Sequence, residues 1–132
     1  MRVSCLMAAY NERGTIDEIV ARVLGQSCVH ELIIVDDGSQ DGTRERLQGM
    51  AVDEPRIRLI LQDRNQGKGA AIRRAIALAV GEVCIIQDAD LEYDPRDYEG
   101  LLAPIRRGES RVVYGSRVIH PQNRYPFDRY RV

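Results

Sequence analysis

Apolar residues fall in short runs divided by polar, glycine-rich stretches, and their period changes from one run to the next. Val3–Ala9, Glu31–Val35, Ile57–Leu61 and Val83–Ile86 are nearly continuous apolar runs of strand length. Between them apolar residues recur at helical spacing: Ile16, Ile19, Val20, Val23 and Leu24, then Leu47 and Met50, then Ile72, Ala75, Ile76, Ala79 and Val80, then Tyr98, Leu101, Leu102 and Ile105. A run without polar alternation is the pattern of a strand buried on both faces, and Val83–Ile86 is predicted to be one. Val112–Tyr114 predicts a last short strand, and from Ile119 onward the chain is polar, aromatic and basic without clear period.

Local signals mark where these elements begin and stop. Thr15 followed by Glu18 has the form of a capping box. Gly25 and Gly81 stand where helix stops are expected. Thr43 or Asp41 can cap the second helix, and Asp94-Pro95 has the form of a cap and a first helical residue. Pro104, inside the last helical pattern, blurs where that helix ends. Strands alternating with helices predict βαβ units and a mostly parallel sheet, an α/β fold. Right-handed crossovers then bring the loops after the strands to one edge, where open α/β sheets bind ligands. The Tyr10 loop, the Asp36 loop, the Lys68 loop, the Asp88 turn and Arg117 all fall there, so a single site is expected.

Size and composition narrow the picture only modestly. With 132 residues, 44% hydrophobic and 30% charged, this is a globular domain rather than a disordered chain. A net charge of −1 gives no general attraction to nucleic acid or acidic membranes, and one Phe with no Trp argues against a single-strand stacking platform. No apolar run approaches the roughly 18 residues of a membrane helix. The first strand starts at once, which leaves no room for a signal peptide and points to the cytoplasm. Cys5, Cys28 and Cys84 lack metal-ligand spacing; Cys5 and Cys84, in apolar runs, are expected to be buried reduced thiols.

Five stretches carry candidate chemistry, each with a plainer alternative. In an extended chain Asp88 and Asp90 point to the same side, about 7 Å apart at their backbones. Two carboxylates so placed suit a hard divalent cation shared with substrate phosphates; the alternative is a solvated turn. Asn65-Gln66-Gly67-Lys68-Gly69 has the form of a phosphate-binding turn before a helix, though it is neither a P-loop nor a dinucleotide fingerprint; its glycines could simply permit a tight loop. Asp36-Asp37, at a strand end, could accept from a ribose hydroxyl or a base N–H, with Asp41 structural. Glu12 could serve a helix dipole and Arg117 a solvated surface. His30 and His120 show no metal or triad pattern.

Taken together, Ala8-Ala9-Tyr10-Asn11-Glu12, Val35-Asp36-Asp37-Gly38-Ser39-x-Asp41-Gly42-Thr43, Asn65-x-Gly67-Lys68-Gly69, Asp88-Ala89-Asp90-Leu91-Glu92-Tyr93-Asp94-Pro95 and Val113-Tyr114-Gly115-Ser116-Arg117 resemble family 2 glycosyltransferases of the GT-A fold. The resemblance is nearest to the polyprenyl (dolichyl) phosphate mannose or glucose synthases. It implies a Rossmann-like, mostly parallel sheet flanked by helices, with residues 1–117 as the nucleotide-sugar-binding core and 118–132 as the start of an incomplete acceptor-side region. It implies sugar transfer from a nucleotide diphosphate donor, UDP- or GDP-linked, with inversion at the anomeric carbon.

By the same resemblance Tyr10, Asn11, Glu12 and Asp37 hold the nucleoside, Gly67 and Lys68 lie along the nucleotide pocket, and Ala8, Asp36, Asp88 and Ala89 complete the nucleotide-sugar site. Asp88 and Asp90 are the DxD-type pair for Mg²⁺ or Mn²⁺, with Glu92 near the metal. Asp90 and Arg117 are the catalytic candidates, Arg117 facing an acceptor phosphate. Such an acceptor is already ionised and needs no general base, whereas a hydroxyl acceptor would. A lipid-phosphate acceptor implies work at the inner face of the membrane, and a homo-oligomer is compatible with the missing acceptor side. Ala8 replaces the family's usual Pro, and relatives usually continue for roughly another hundred residues. A nucleotide-sugar-binding module without catalysis is therefore a competing expectation. A nucleotidyltransferase is a weaker one, because no Gly-rich basic loop follows the first strand.

Overall fold

The computed structural model describes residues 1–115 and 130–131, which fall into two compact units, the first covering 1–95 and the second beginning at Arg96. In the first unit, β1 (Val3–Ala9), β2 (Val29–Asp36), β3 (Ile57–Leu61) and β4 (Val83–Ile86) form one all-parallel sheet in the order β3-β2-β1-β4. The intervening helices are α1 (Ile16–Leu24), α2 (Thr43–Asp53) and α3 (Lys68–Leu78). The chain steps outward from β1 through β2 to β3, then returns to place β4 on the other side of β1. That reversal creates a switch point between β1 and β4, where the loops diverge and leave a crevice.

The centre of the sheet is dry on both sides. Leu6, Ile33 and Val35 pack with Ala71, Ile72 and Ala75 of α3. The alternate positions Cys5, Met7, Leu32 and Ile34 face the other way and are fully buried too. The edge differs. In β4 only Ile85 is buried, while Cys84 and Ile86 are exposed, which corrects the expectation of a strand covered on both faces and of a buried Cys84 thiol. Strand order explains this: β4 pairs only with β1 in this sheet, and α3 lies over β1 and β2. The apolar face of α3 is also turned by one position. Ala71 is buried in place of Ile76, which is exposed, because small side chains let the helix lie close to the sheet.

Several boundary signals act in other ways than their spacing suggests. Thr15 occupies the N-cap position of α1 but makes no side-chain cap bond, and Glu18 pairs with Arg22 instead, so the capping box is not formed. Gly25 does end α1, in the ordinary right-handed conformation. α3 stops at Leu78, before Gly81. A Cβ on Gly81 would lie 2.7 Å from Ser4 Oγ and 2.8 Å from the Arg2 carbonyl, so this glycine serves a close approach. Asp94-Pro95 leads into a single 3₁₀ turn, Pro95–Asp97.

In the second unit, α4 (Tyr98–Arg106) accommodates Pro104, with Tyr98, Leu102 and Pro104 buried. β5 (Tyr114–Gly115) pairs antiparallel with β6 (Tyr130–Arg131) in a separate two-stranded ladder. The last strand is thus shorter than Val112–Tyr114 predicts and has a partner that hydrophobic pattern does not reveal.

At the sheet edge opposite the crevice, Glu31 is buried. Its carboxylate accepts from Ser4 Oγ at 2.6 Å, Val80 N at 2.7 Å and Arg58 Nη1 at 3.2 Å. Burial by itself raises its pKa, but the Ser4, Val80 and Arg58 contacts outweigh burial and hold the group below the usual glutamate range. A depressed folded pKa stabilises the fold above the unfolded value, near 4.3, and that stability is lost as pH falls through the folded value. In urea denaturation, Glu31→Gln should be about 1–2 kcal/mol less stable than the parent at pH 7. The gap should close as pH falls through the depressed folded value of Glu31; a gap independent of pH would rule out this account.

Candidate functional site

The crevice at the switch point is a cavity of about 350 Å³. The end of β1 and its loop contribute Ala8, Ala9, Tyr10 and Glu12. Asp37 follows β2, Asn65, Gly67 and Lys68 come from the β3–α3 loop, and Asp88, Ala89 and Asp90 follow β4. All lie at carboxyl ends of strands.

The walls are held by side-chain contacts between loops. Asp37 N continues the β1–β2 ladder by donating to Ala9 O at 2.8 Å, and its buried carboxylate organises the loop from β3. Oδ1 accepts from Gln62 Nε2 and Gln66 N, both at 2.7 Å, and Oδ2 accepts from Gly67 N at 3.0 Å. Gly38 adds a steric requirement: at φ +82° its absent Cβ would lie 2.7 Å from Arg64 C and Asn65 N. The loops after β2 and β3 therefore touch backbone to backbone.

Asp36 points the other way and does not line the cavity. Its Oδ2 accepts from Arg44 Nε at 2.8 Å and Ser39 N at 3.2 Å, while Oδ1 is buried with no partner among the described residues. Arg44 also donates to Gln62 O, so α2, β2 and the end of β3 are joined. Asn11 is likewise off the wall. It adopts φ 52°, its N–H donates to Ser39 Oγ and its Oδ1 accepts from Gln40 N, both at 2.9 Å. Asp41 Oδ1 accepts from Thr43 N and Oγ1, and its Oδ2 accepts from Arg13 N. The Thr43 hydroxyl, aided by these amides, holds the Asp41 carboxyl below its usual range, in keeping with a structural residue.

On the opposite wall, Gln87 N donates to Leu6 O at 2.9 Å and carries the β1–β4 ladder to the threshold of the acidic turn. Asp88 and Asp90 are half-buried, and Lys68, the first residue of α3, reaches across to pair with Asp88. Asp90 Oδ1 accepts from Glu92 N at 3.0 Å. Glu92 itself is exposed and is not part of the wall. Arg117 lies outside the described residues. Ala9 and Asn65, which stand in the quoted motifs but not among the candidate site residues, also line the cavity. Their signal is position alone, at a strand end and beside the Gly67-Lys68 turn.

Residues 4–132 match the family described as Glycosyl transferase family 2. The chain belongs to that family. A dolichol-phosphate mannosyltransferase of Pyrococcus furiosus is 32% identical over 121 residues, covering 90% of this chain and 34% of the relative. Among solved structures, a mannosyltransferase from Pyrobaculum calidifontis in complex with GDP-Man and Mn²⁺ superposes with a TM-score of 0.73 at 26% identity, over 92% of this chain and 36% of that one. A glucosyl-3-phosphoglycerate synthase from Mycobacterium tuberculosis in complex with UDP gives 0.71 at 27% identity, over 87% and 43%. The fold of this family 2 chain is therefore GT-A, and the chain spans between about a third and two fifths of the length of these three proteins.

The three donors converging on Asp37 allow a local test. Asp37→Ala should cost about 3 kcal/mol in chemical denaturation, because it strands donors that met a buried carboxylate. Asp37→Asn, which keeps one oxygen, should cost about half as much. Hydrogen exchange should speed up at Gln66 and Gly67 in both variants; unchanged exchange at those two amides would remove the loop-organising role.

Proposed function

We propose that this chain carries the donor site of an inverting, metal-dependent glycosyltransferase that moves a sugar from a nucleotide diphosphate to an acceptor, with a polyprenyl phosphate as the acceptor class. One observation supports the reading most. Among the described residues, Glu12, Asp37, Asp88 and Asp90 line the cavity against a single cationic side chain, Lys68, a formal excess of three negative charges. A diphosphate brings further negative charge, and opposition of that size in a partly desolvated cleft would keep it out unless a cation entered too.

The donor set fits such a cation. Asp88 and Asp90 offer hard carboxylate oxygens on the cavity wall. No cluster of three or more His, Cys, Asp or Glu suited to a metal exists among the described residues. A Mg²⁺- or Mn²⁺-type ion held by one or two carboxylates, with phosphates and water completing its shell, needs no more. When bound, it would screen charge on the departing diphosphate as a Lewis acid. The chain's own residues do the rest. Tyr10, Glu12, Asp37 and Ala8 would border the nucleoside. Gly67, with no side chain, and Ala89 would let the nucleotide approach the backbone, while Lys68 could transfer its contact from Asp88 to a phosphate oxygen. Asp90 is the catalytic candidate on the wall, and Arg117 is assigned to the acceptor phosphate by motif match. Glu92 would act near the metal only if the turn rearranged, since its carboxylate is off the wall. An ionised phosphate acceptor removes the need for a general base, and work at a membrane surface follows from a lipid acceptor; no helix among the described residues is long and apolar enough to cross a membrane.

A second reading of the same cavity is a nucleotide-sugar-binding module without catalysis. Calorimetric titration of UDP and GDP, with and without Mn²⁺, tests the donor site. Binding of one nucleotide should require Mn²⁺, and Asp90→Ala should weaken it by about 10-fold or more. A folded protein that binds neither nucleotide would overturn the proposal. Transfer to a polyprenyl phosphate by the same sample would decide between enzyme and module.

A further inference from the structure

Thr15 stands at the N-cap of α1 without doing an N-cap's work. A Thr there normally accepts from an amide of the first helical turn and stabilises the helix by about 1 kcal/mol. Here no such bond exists. The hydroxyl faces the cavity wall, with the Ala89 carbonyl at 2.9 Å and Glu12 Oε2 at 3.2 Å, and a third, longer contact to Glu12 O at 3.5 Å. Ala89 is the residue between Asp88 and Asp90, it is buried, and 74 residues separate it from Thr15.

We propose that Thr15 is a positioning residue for the acidic turn, fixing the Ala89-Asp90 peptide so that the Asp88 and Asp90 carboxylates present a preformed pair to a divalent cation. The inference rests on the donor-site reading above and assigns a role to a residue outside the acidic motif. The peptide plane after Ala89 carries Asp90 on its far side. A carbonyl pinned from the α1 loop therefore limits rotation of the backbone between the two acids. Among the described residues no sheet pairing restrains this turn beyond β4: the ladder bond nearest to it is Gln87 N to Leu6 O, one residue before Asp88.

The same hydroxyl lies 3.2 Å from an oxygen of Glu12, a second cavity carboxylate. A hydroxyl has one proton, so it satisfies Ala89 O or Glu12 Oε2, not both at once. The shorter contact is to Ala89. With the hydroxyl proton donated to Ala89 O, Glu12 Oε2 stays available to a donor in the cavity.

The test separates positioning from plain stability by titrating the full chain with Mn²⁺ in the presence of whichever of UDP or GDP the parent binds, and by following thermal unfolding in parallel. Thr15→Val keeps the shape and removes the hydroxyl. It should weaken Mn²⁺ binding by about 5-fold, the worth of one hydrogen bond, and leave the unfolding temperature within a few degrees. Thr15→Ser keeps the hydroxyl and should bind Mn²⁺ within about 2-fold of the parent. Equal Mn²⁺ affinity in Val and parent, or a Ser variant as weak as Val, overturns the positioning role while leaving the donor site standing. If Val does not fold, a wild-type Mn²⁺ affinity in Ser supports the role and a weakened one overturns it. A parent that binds neither Mn²⁺ nor nucleotide overturns both readings.

Discussion

Two adjacent carboxylates at the end of β2 hold the ligand edge of this molecule together. A strand sends neighbouring side chains to opposite sides, so Asp36 and Asp37 leave the same point in opposite directions and recruit different partners. Asp36 takes Arg44 from α2, and through Arg44 the carbonyl at the end of β3. Asp37 takes the Gln62 side chain and two amides of the loop that opens α3. Parallel strands give no hairpin to fix such loops, and these buried charges supply the order that a tight turn would give elsewhere. Both acids are buried, so the cost of desolvating them is offset only while their donors remain in place.

The same parity shows what a sequence can and cannot disclose here. Four apolar runs with acids or Asp/Gly loops at their ends identified the parallel sheet and the edge that carries the cavity, because burial and strand direction are written into hydrophobic pattern. Which of Asp36 and Asp37 faces the cavity depends on the parity of the last β2 residue relative to helices not yet placed, and composition is silent on that. Cys84 and Ile86 misled for a related reason: apolar content says a strand can be buried, whereas its rank in the sheet decides whether it is. Ile76 misled because α3 packs through alanine, trading side-chain bulk for a close approach. Thr15 misled most usefully, since a residue type that normally caps a helix was taken up by a partner 74 residues away.

Loop conformation was legible where glycine was required and obscure where it was not. Gly38 is forced by the backbone of Arg64 and Asn65, and Gly42 and Gly67 by positive φ. Asn11 reaches φ 52° with a side chain, a conformation that Asn tolerates better than most residues and that its bonds to the Ser39-Gln40 segment over-determine. Its Oδ1 accepts from Gln40 N and its backbone N–H donates to Ser39 Oγ, so this motif residue joins the loops after β1 and β2.

The exposed outer face of β4 raises the question of what steadies the acidic turn that follows it. Packing cannot, since Ile86, directly before Gln87 and Asp88, is more than half exposed. Polar contacts from the buried side take over. Gln87 N bonds to β1, the buried Gln87 side chain reaches the carbonyls of Asp88 and Tyr93, and Thr15 holds Ala89. Each is made to a main-chain atom, so together they set backbone path and leave the Asp88 and Asp90 side chains at the cavity. A site anchored in this way draws its geometry from the buried strand β1 and from Thr15 at the start of α1.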